Sequence, residues 1–254
     1  MKKLLLILFL APAFVLAQKN VTTFGIQFKP IIPIQTFVDG PFEFTNALST
    51  PTGLDSIYSG SMSSKAGYSF GMVIRTGLTK MITIETGINY VRRNYRLDMS
   101  KQIGTTIESE QTEFGFVSYS IPVQALIFIK LSENIFMNAS TGVSADGYAS
   151  GTLSYGANFN LEQLSWPHSR IGASYLANLG FELRTKESGY FYLGASYKSP
   201  FGLMAVTRAK WRNAAIDHSH YYYLGGQYLT LDLRYFFHED PATKKKKKKK
   251  KKDE

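Results

Sequence analysis

The chain has no cysteine in 254 residues, and only two tryptophans. Without cysteine there is no disulfide framework, no thiolate metal site and no lipid attachment behind a leader. After residue 17 no apolar run reaches even ten residues. That excludes helical membrane spans, which need about 20. Phosphate-cradling glycine loops, zinc-pair spacings and paired-carboxylate motifs are absent as well, so the sequence supplies no catalytic, cofactor or metal site of a recognised kind.

Balanced charge is also missing, but the imbalance is local. The formal charge is +10 at a pI near 9.5. Lys244 to Lys252 are nine consecutive lysines, and the segment from Glu239 to Glu254 carries +5 of the total. Lys2 and Lys3 account for two more, leaving +3 for residues 18–238. The body is only mildly basic, so the composition gives no ground for a nucleic-acid partner.

The first 17 residues have the layout of a secretory signal. Lys2 and Lys3 form a basic start, Leu4 to Ala17 an apolar run of 14, and small residues sit at the cleavage-type positions before Gln18. The expected organisation is a signal over 1–17, a folded body over 18–238, and a poly-lysine tail over 239–254. Adjacent like charges keep such a tail extended and unfolded.

Within the body, hydrophobicity repeats every two residues, the period of a strand. It appears in Phe24-Ile26-Phe28, Tyr68-Phe70-Met72-Ile74, Ile82-Ile84-Thr86-Ile88-Tyr90 and Val123-Ala125-Ile127-Ile129. It recurs in Ile135-Met137-Ala139, Tyr175-Ala177-Leu179-Phe181-Leu183, Phe191-Leu193-Ala195-Tyr197 and Leu229-Leu231-Leu233-Tyr235-Phe237. These make eight candidate strands with no helix between them. Short polar turns near Thr79-Lys80, Ser132-Glu133-Asn134 and Lys186-Glu187-Ser188-Gly189 alternate with long connections over 39–66, 94–115, 144–170 and 202–220. Strict alternation of short and long connections suits an all-β, eight-stranded antiparallel up-and-down transmembrane β-barrel, with its short turns on one side of the membrane.

The polar faces support the same reading. Opposite the apolar positions stand Lys29, Arg75, Glu85, Lys130, Glu182, Arg184, Lys198, Asp232 and Arg234. A soluble barrel would bury these charges in its apolar core, whereas a transmembrane barrel turns them into its lumen, where opposite signs pair. A turn centred near Lys80 places Arg75 across from Glu85 at cross-strand contact distance. Lumen charge pairs are therefore expected among Arg75, Glu85, Glu182, Arg184, Lys198, Asp232 and Arg234. Eight strands enclose room for side chains and little else, so these residues read as a plug, with a narrow selective pore as the alternative.

The last strand, LTLDLRYFF (229–237), resembles the C-terminal insertion signal of outer-membrane barrels. Together with FGIQFKP (24–30), GLTKMITIETGINYVRRN (77–94), SYSIPVQALIFIKLSENIFMNASTG (118–142) and LGASYKSPFG (193–202), it makes the chain similar to the PorT-type small outer-membrane β-barrels, within the broader OmpA-like barrel group. The resemblance covers about Thr23 to Phe237. It implies a bacterial outer-membrane location and, as in some family members, assistance to protein secretion or envelope assembly. It carries no catalytic residues.

With an even number of strands, both termini and the short turns face the periplasm. The tail, represented by Lys244, Lys248 and Lys252, is then available to an anionic periplasmic partner: peptidoglycan, inner-leaflet lipid, or a protein such as a component of the secretion machinery. At the outer rim, Arg92, Arg93 and Arg96 and, across the barrel, Arg208, Lys210 and Arg212 form a girdle suited to lipopolysaccharide phosphates. The only enzyme-like grouping is Asp217-His218-Ser219-His220, with His168 as a possible neighbour, and spacing fixes no third partner for it. The expected function is a non-enzymatic structural or accessory barrel. A narrow passive pore is the alternative, and a rim enzyme stands behind both.

Overall fold

The computed structural model describes residues 22–34, 40–46, 56–79, 82–149, 151–185, 187–212 and 219–238. The expected signal and the lysine tail lie outside these residues. The described chain forms thirteen strands: β1 (Thr22–Ile32), β2 (Phe42–Asn46), β3 (Ser56–Gly77), β4 (Ile82–Ile103), β5 (Thr106–Lys130), β6 (Ile135–Tyr148), β7 (Thr152–Tyr155), β8 (Leu161–Pro167), β9 (Ile171–Arg184), β10 (Tyr190–Pro200), β11 (Ala205–Trp211), β12 (Ser219–Leu224) and β13 (Tyr228–Phe236).

Eight of them close a ring in the order β1-β13-β10-β9-β6-β5-β4-β3, sealed by antiparallel pairing of β1 with β3. These eight contain the eight period-two segments of the sequence. Closure pairs every wall strand on both sides, the condition a sheet must meet to cross hydrocarbon. Side chains alternate as the period requires: Phe24, Ile26, Phe70, Met72, Ile88, Leu179 and Phe181 point outward and are exposed, whereas Arg75, Glu85, Asn138, Glu182, Asp232 and Arg234 are buried within. Apolar outside and polar inside is the inverse of a soluble fold.

The four segments read as long loops hold much of the surprise. They are largely strand. β3, β4 and β5 run for 22, 22 and 25 residues, about twice the 11 of β1 and β10 and the 9 of β13, so one side of the barrel wall rises well past the other. Facing that raised wall is a separate four-stranded sheet in the order β12-β11-β8-β7. The two layers sandwich an apolar core that includes Tyr58, Leu97, Phe116, Leu161, Trp211 and Tyr222. Sequence periodicity misses these strands because β7, β8, β11 and β12 are only four to seven residues long, and their core-facing positions include Ser165 and Thr207, whose hydroxyls bond each other at 2.6 Å.

The three turns read as short, β3–β4, β5–β6 and β9–β10, lie at the end of the barrel that carries both described chain ends, where Phe237 N donates to Phe24 O at 2.8 Å. They close with backbone bonds such as Leu78 N to Ile82 O and Leu131 N to Ile135 O, both 3.0 Å. The 94–115 segment read as a long loop is instead a strand pair closed at the opposite end by a two-residue turn at Gly104-Thr105. We call the end with the three turns the near end and the sandwich the distal end.

Candidate functional site

The lumen is filled by two ionic clusters, and strand register builds both. At the near end β3 and β4 pair Arg75 with Glu85 directly. Arg75 Nε donates to Glu85 Oε2 at 2.7 Å, and Arg75 Nη1 donates to Glu182 Oε2 across the lumen. Arg184 Nε donates to the other oxygen of Glu182 at 2.7 Å, and Arg234 bridges Glu85 and Asp232 at 2.6 Å each. Lys29 completes the chain with Asp232 at 2.9 Å. Every carboxylate here touches two cations, which is how charges removed from water are kept ionised.

Aromatic rings floor this network. The Arg75 guanidinium lies 3.8 Å from the ring centre of Phe236, Arg184 lies 4.1 Å from Phe136 and 4.7 Å from Phe128, and Arg234 lies 4.7 Å from Tyr192. These contacts place ring faces on cations where water would otherwise enter. Tyr192 fits because Gly180 and Gly194 leave its slot open: a β-carbon on either would collide with the Tyr192 hydroxyl. That hydroxyl donates to Asn178 Oδ1 at 2.7 Å.

Above a belt of Gln27, Asn89, Gln124, Asn178 and Thr230 lies the second cluster, centred on Asp146. Lys198 Nζ donates to Asp146 Oδ1, and to Ser120 Oγ at 2.8 Å. The hydroxyls of Ser144 and Ser174 donate to the same carboxylate. Arg93 is buried nearby, 4.8 Å over the Tyr228 ring and close enough to act electrostatically on Lys198. Its Nη1 points at Met204 Sδ, while Nε and Nη2 have no hydrogen-bond partner among the described residues.

Between the two clusters lies a cavity of about 30 Å³, lined by Lys29, Asn89, Ser120, Lys198 and Tyr228 among others. A water needs roughly 10–15 Å³ measured this way, so the space admits about two waters and no solute.

The positions expected at the outer rim separate into three environments. Arg93 is not at a surface at all: it points into the lumen, because on β4 it shares inward parity with Glu85, Asn89 and Val91. Arg92 and Arg96 do face outward on β4; Arg96 pairs with Glu113 at 2.6 Å, with Lys65 3.6 Å from the same oxygen. The hydrogen bond from Arg96 holds the Glu113 carboxyl below its ordinary pKa, and the Arg96 guanidinium is raised in return. Arg208, Lys210 and Arg212 belong to β11 or follow it, on the four-stranded sheet; Arg208 donates to Glu162 at 2.7 Å.

Of the enzyme-like grouping, Asp217 and His218 lie outside the described residues. His220 is stacked on Phe42, ring centres 3.9 Å apart, as part of the packing between β2 and β12. His168 sits at the β8–β9 connection, where its backbone N–H bonds Met204 O at 3.0 Å. Among the described residues no three His, Asp or Glu side chains are grouped to hold a metal. Lys130, expected inside, stands exposed at the near-end rim beside its turn. The residue that sequence reading missed is Asp146. Its signal was inward parity with Asn138, Ser140 and Ser144, had β6 been extended past Ala139.

No family model and no curated protein matches this chain. Among solved structures it is similar to the crystal structure of the outer membrane protein OprG from Pseudomonas aeruginosa, at 8% identity and a TM-score of 0.51, over 87% of this chain and 98% of that one. At such identity the likeness concerns the fold, and the fold it shares is that of an outer-membrane β-barrel.

Proposed function

We propose that the chain is a non-enzymatic protein of the bacterial outer membrane, a closed barrel that serves as a structural or accessory part of the envelope rather than as a conduit. The carrying observation is the lumen: ion pairs and aromatic rings cross it, the cavity between its two ionic clusters measures about 30 Å³, and an apolar core covers its distal end. The exposed apolar exterior supports the membrane location. Short turns conventionally face the periplasm, so both ends of the body, and with them the lysine tail, belong on that side and the sandwich outside the cell. A role in secretion or envelope assembly, as the PorT-type resemblance implies, would then use the tail toward an anionic periplasmic partner and the sandwich toward the surface.

A narrow anion-passing pore is the second reading. One observation favours it: the lumen holds six cations (Lys29, Arg75, Arg93, Arg184, Lys198, Arg234) against four carboxylates (Glu85, Asp146, Glu182, Asp232). Planar-bilayer recording separates the two. The closed barrel gives no reproducible single-channel steps; stable steps from purified protein, reversed in selectivity by charge changes at Lys29 or Lys198, overturn it.

A further inference from the structure

The barrel exterior is not symmetric above the membrane. On β9 the outward positions run from Leu183 to Ile171, twelve residue steps, and every one is apolar or aromatic. At about 3.3 Å per residue this is ~40 Å of strand, or ~30 Å of height at a tilt of about 40°, against an apolar band about 25 Å tall. Ile171 therefore already reaches the far edge of the hydrocarbon. On the raised wall the exterior turns polar past this level: the outward positions of β4 beyond Tyr90 are Arg92, Asn94, Arg96 and Asp98, and those of β5 beyond Val117 are Gly115, Glu113 and Gln111.

The four-stranded sheet does the opposite. Its first outward row holds Tyr223, Val206 and Trp166 abreast. Its second is Tyr221, Arg208, Leu164 and Leu153. Charge begins with Arg208 in that second row, paired with Glu162 at 2.7 Å, and continues in the third with Lys210 and Glu162, next to Arg212. Trp166 and Tyr221 meet edge to face, with ring centres 6.3 Å apart. Where the sheet joins the barrel, Ile171 (75% exposed) opens β9 and Phe201 (68%), whose N–H bonds Ala173 O at 3.0 Å, follows β10; Tyr223 on the sheet is 53% exposed. Apolar surface thus passes from the lipid-facing belt onto this sheet along the β10–β11 connection, through Phe201 and Leu203, while the β8–β9 connection interposes exposed His168, Ser169 and Arg170; on the sheet itself the face grades from aromatic to basic. Tyr and Trp favour the depth of the headgroups, and guanidinium groups favour phosphate.

We propose that the outward face of the β7-β8-β11-β12 sheet is a lipid-interface surface, resting among the phosphate-bearing headgroups of the outer leaflet, with Trp166, Tyr221 and Tyr223 at the headgroup level and Arg208, Lys210 and Arg212 at the phosphates. The inference rests on the outer-membrane reading above. It gives the barrel a side: one flank is anchored in the interface, and the raised wall opposite presents a polar surface to the medium.

Two tryptophans make the test direct. Full-length protein and W166F are reconstituted into phosphatidylcholine–phosphatidylglycerol vesicles carrying a nitroxide either on the headgroup or deep on the acyl chain. Both proteins keep Trp211, which is buried, so the difference in emission belongs to Trp166. The expected result is a difference spectrum shifted to the blue of the unfolded protein and quenched more by the headgroup probe than by the deep one. A red, unquenched difference spectrum overturns the proposal. So does a blue one that neither probe quenches, because Trp166 is then covered by protein, a second copy or a partner. L179W in the W166F background is the control: Leu179 lies on the outward face of β9. Quenching of that tryptophan by the deep probe with none at Trp166 rejects the interface and keeps the barrel in the membrane; no quenching of either rejects both readings.

Discussion

Replacing Asp146 by Asn tests whether the lumen is dry. Asp146 is the carboxylate that Lys198 contacts, and its replacement by an amide leaves the buried ammonium with neutral acceptors, the amide oxygen and Ser120 Oγ, and with Arg93 acting on it as a second cation. Unit charges about 3 Å apart attract by about 5.5 kcal/mol at an effective dielectric of about 20, and by about 1.4 kcal/mol in water. In a closed lumen, breaking such a pair from one side should cost about 3–5 kcal/mol. In a water-filled lumen it should cost at most about 1 kcal/mol, as for exposed pairs. Urea titration of protein refolded into lipid vesicles, followed by tryptophan emission and by the heat-dependent shift on gels, measures the difference. D146N/K198M, which removes both charges, should recover most of the loss. R75M should cost less than D146N, since Glu85 keeps Arg234 and Glu182 keeps Arg184. If D146N unfolds at the wild-type urea concentration, Lys198 is solvated, the plug argument fails and the pore reading gains.

Two further outcomes follow from the distal end. Trp211 is 1% exposed in the sandwich core, so W211A should cost about 3–5 kcal/mol, the range for large-to-small changes of buried aromatics; because the ring of eight strands closes without β11, protease digestion in vesicles should cleave the four-stranded sheet while leaving a membrane-protected barrel fragment, and protection of the whole chain would refute the separation of the two layers. The folded pKa of Glu113 is depressed by the hydrogen bond from Arg96, so the Arg96–Glu113 contact should be fully present above the unfolded value of about 4.3 and lost as pH falls through the lower folded one; carbon-detected titration of the carboxylate, with R96Q restoring an ordinary midpoint, checks it.

How much of this was legible beforehand depends on the length of each pattern. The eight wall strands announce themselves because lipid outside and a polar lumen inside impose alternation over many residues, as from Tyr175 to Leu183. The Arg75–Glu85 pair follows from one short turn, since antiparallel register counts outward from it. The sandwich did not announce itself. Its strands are short, both of its faces carry hydroxyls or aromatics, and its core is assembled from segments as distant as Tyr58 and Tyr222. For the same reason Arg93 looked like one of three rim arginines, although strand parity alone sets it apart from Arg92 and Arg96.

The amino-acid order by itself determined the class of fold, the two faces of the wall and the signs of the charges in the lumen, because alternation and turn length are local quantities. Only the tertiary structure decided which charges meet. Glu182 reaching Arg75, Arg234 reaching Glu85 and Lys198 reaching Asp146 are contacts across 107, 149 and 52 residues, and no local rule specifies them. They exist because closing an eight-stranded ring brings every inward side chain within reach of the opposite wall. That closure is a property of the whole sheet rather than of any strand.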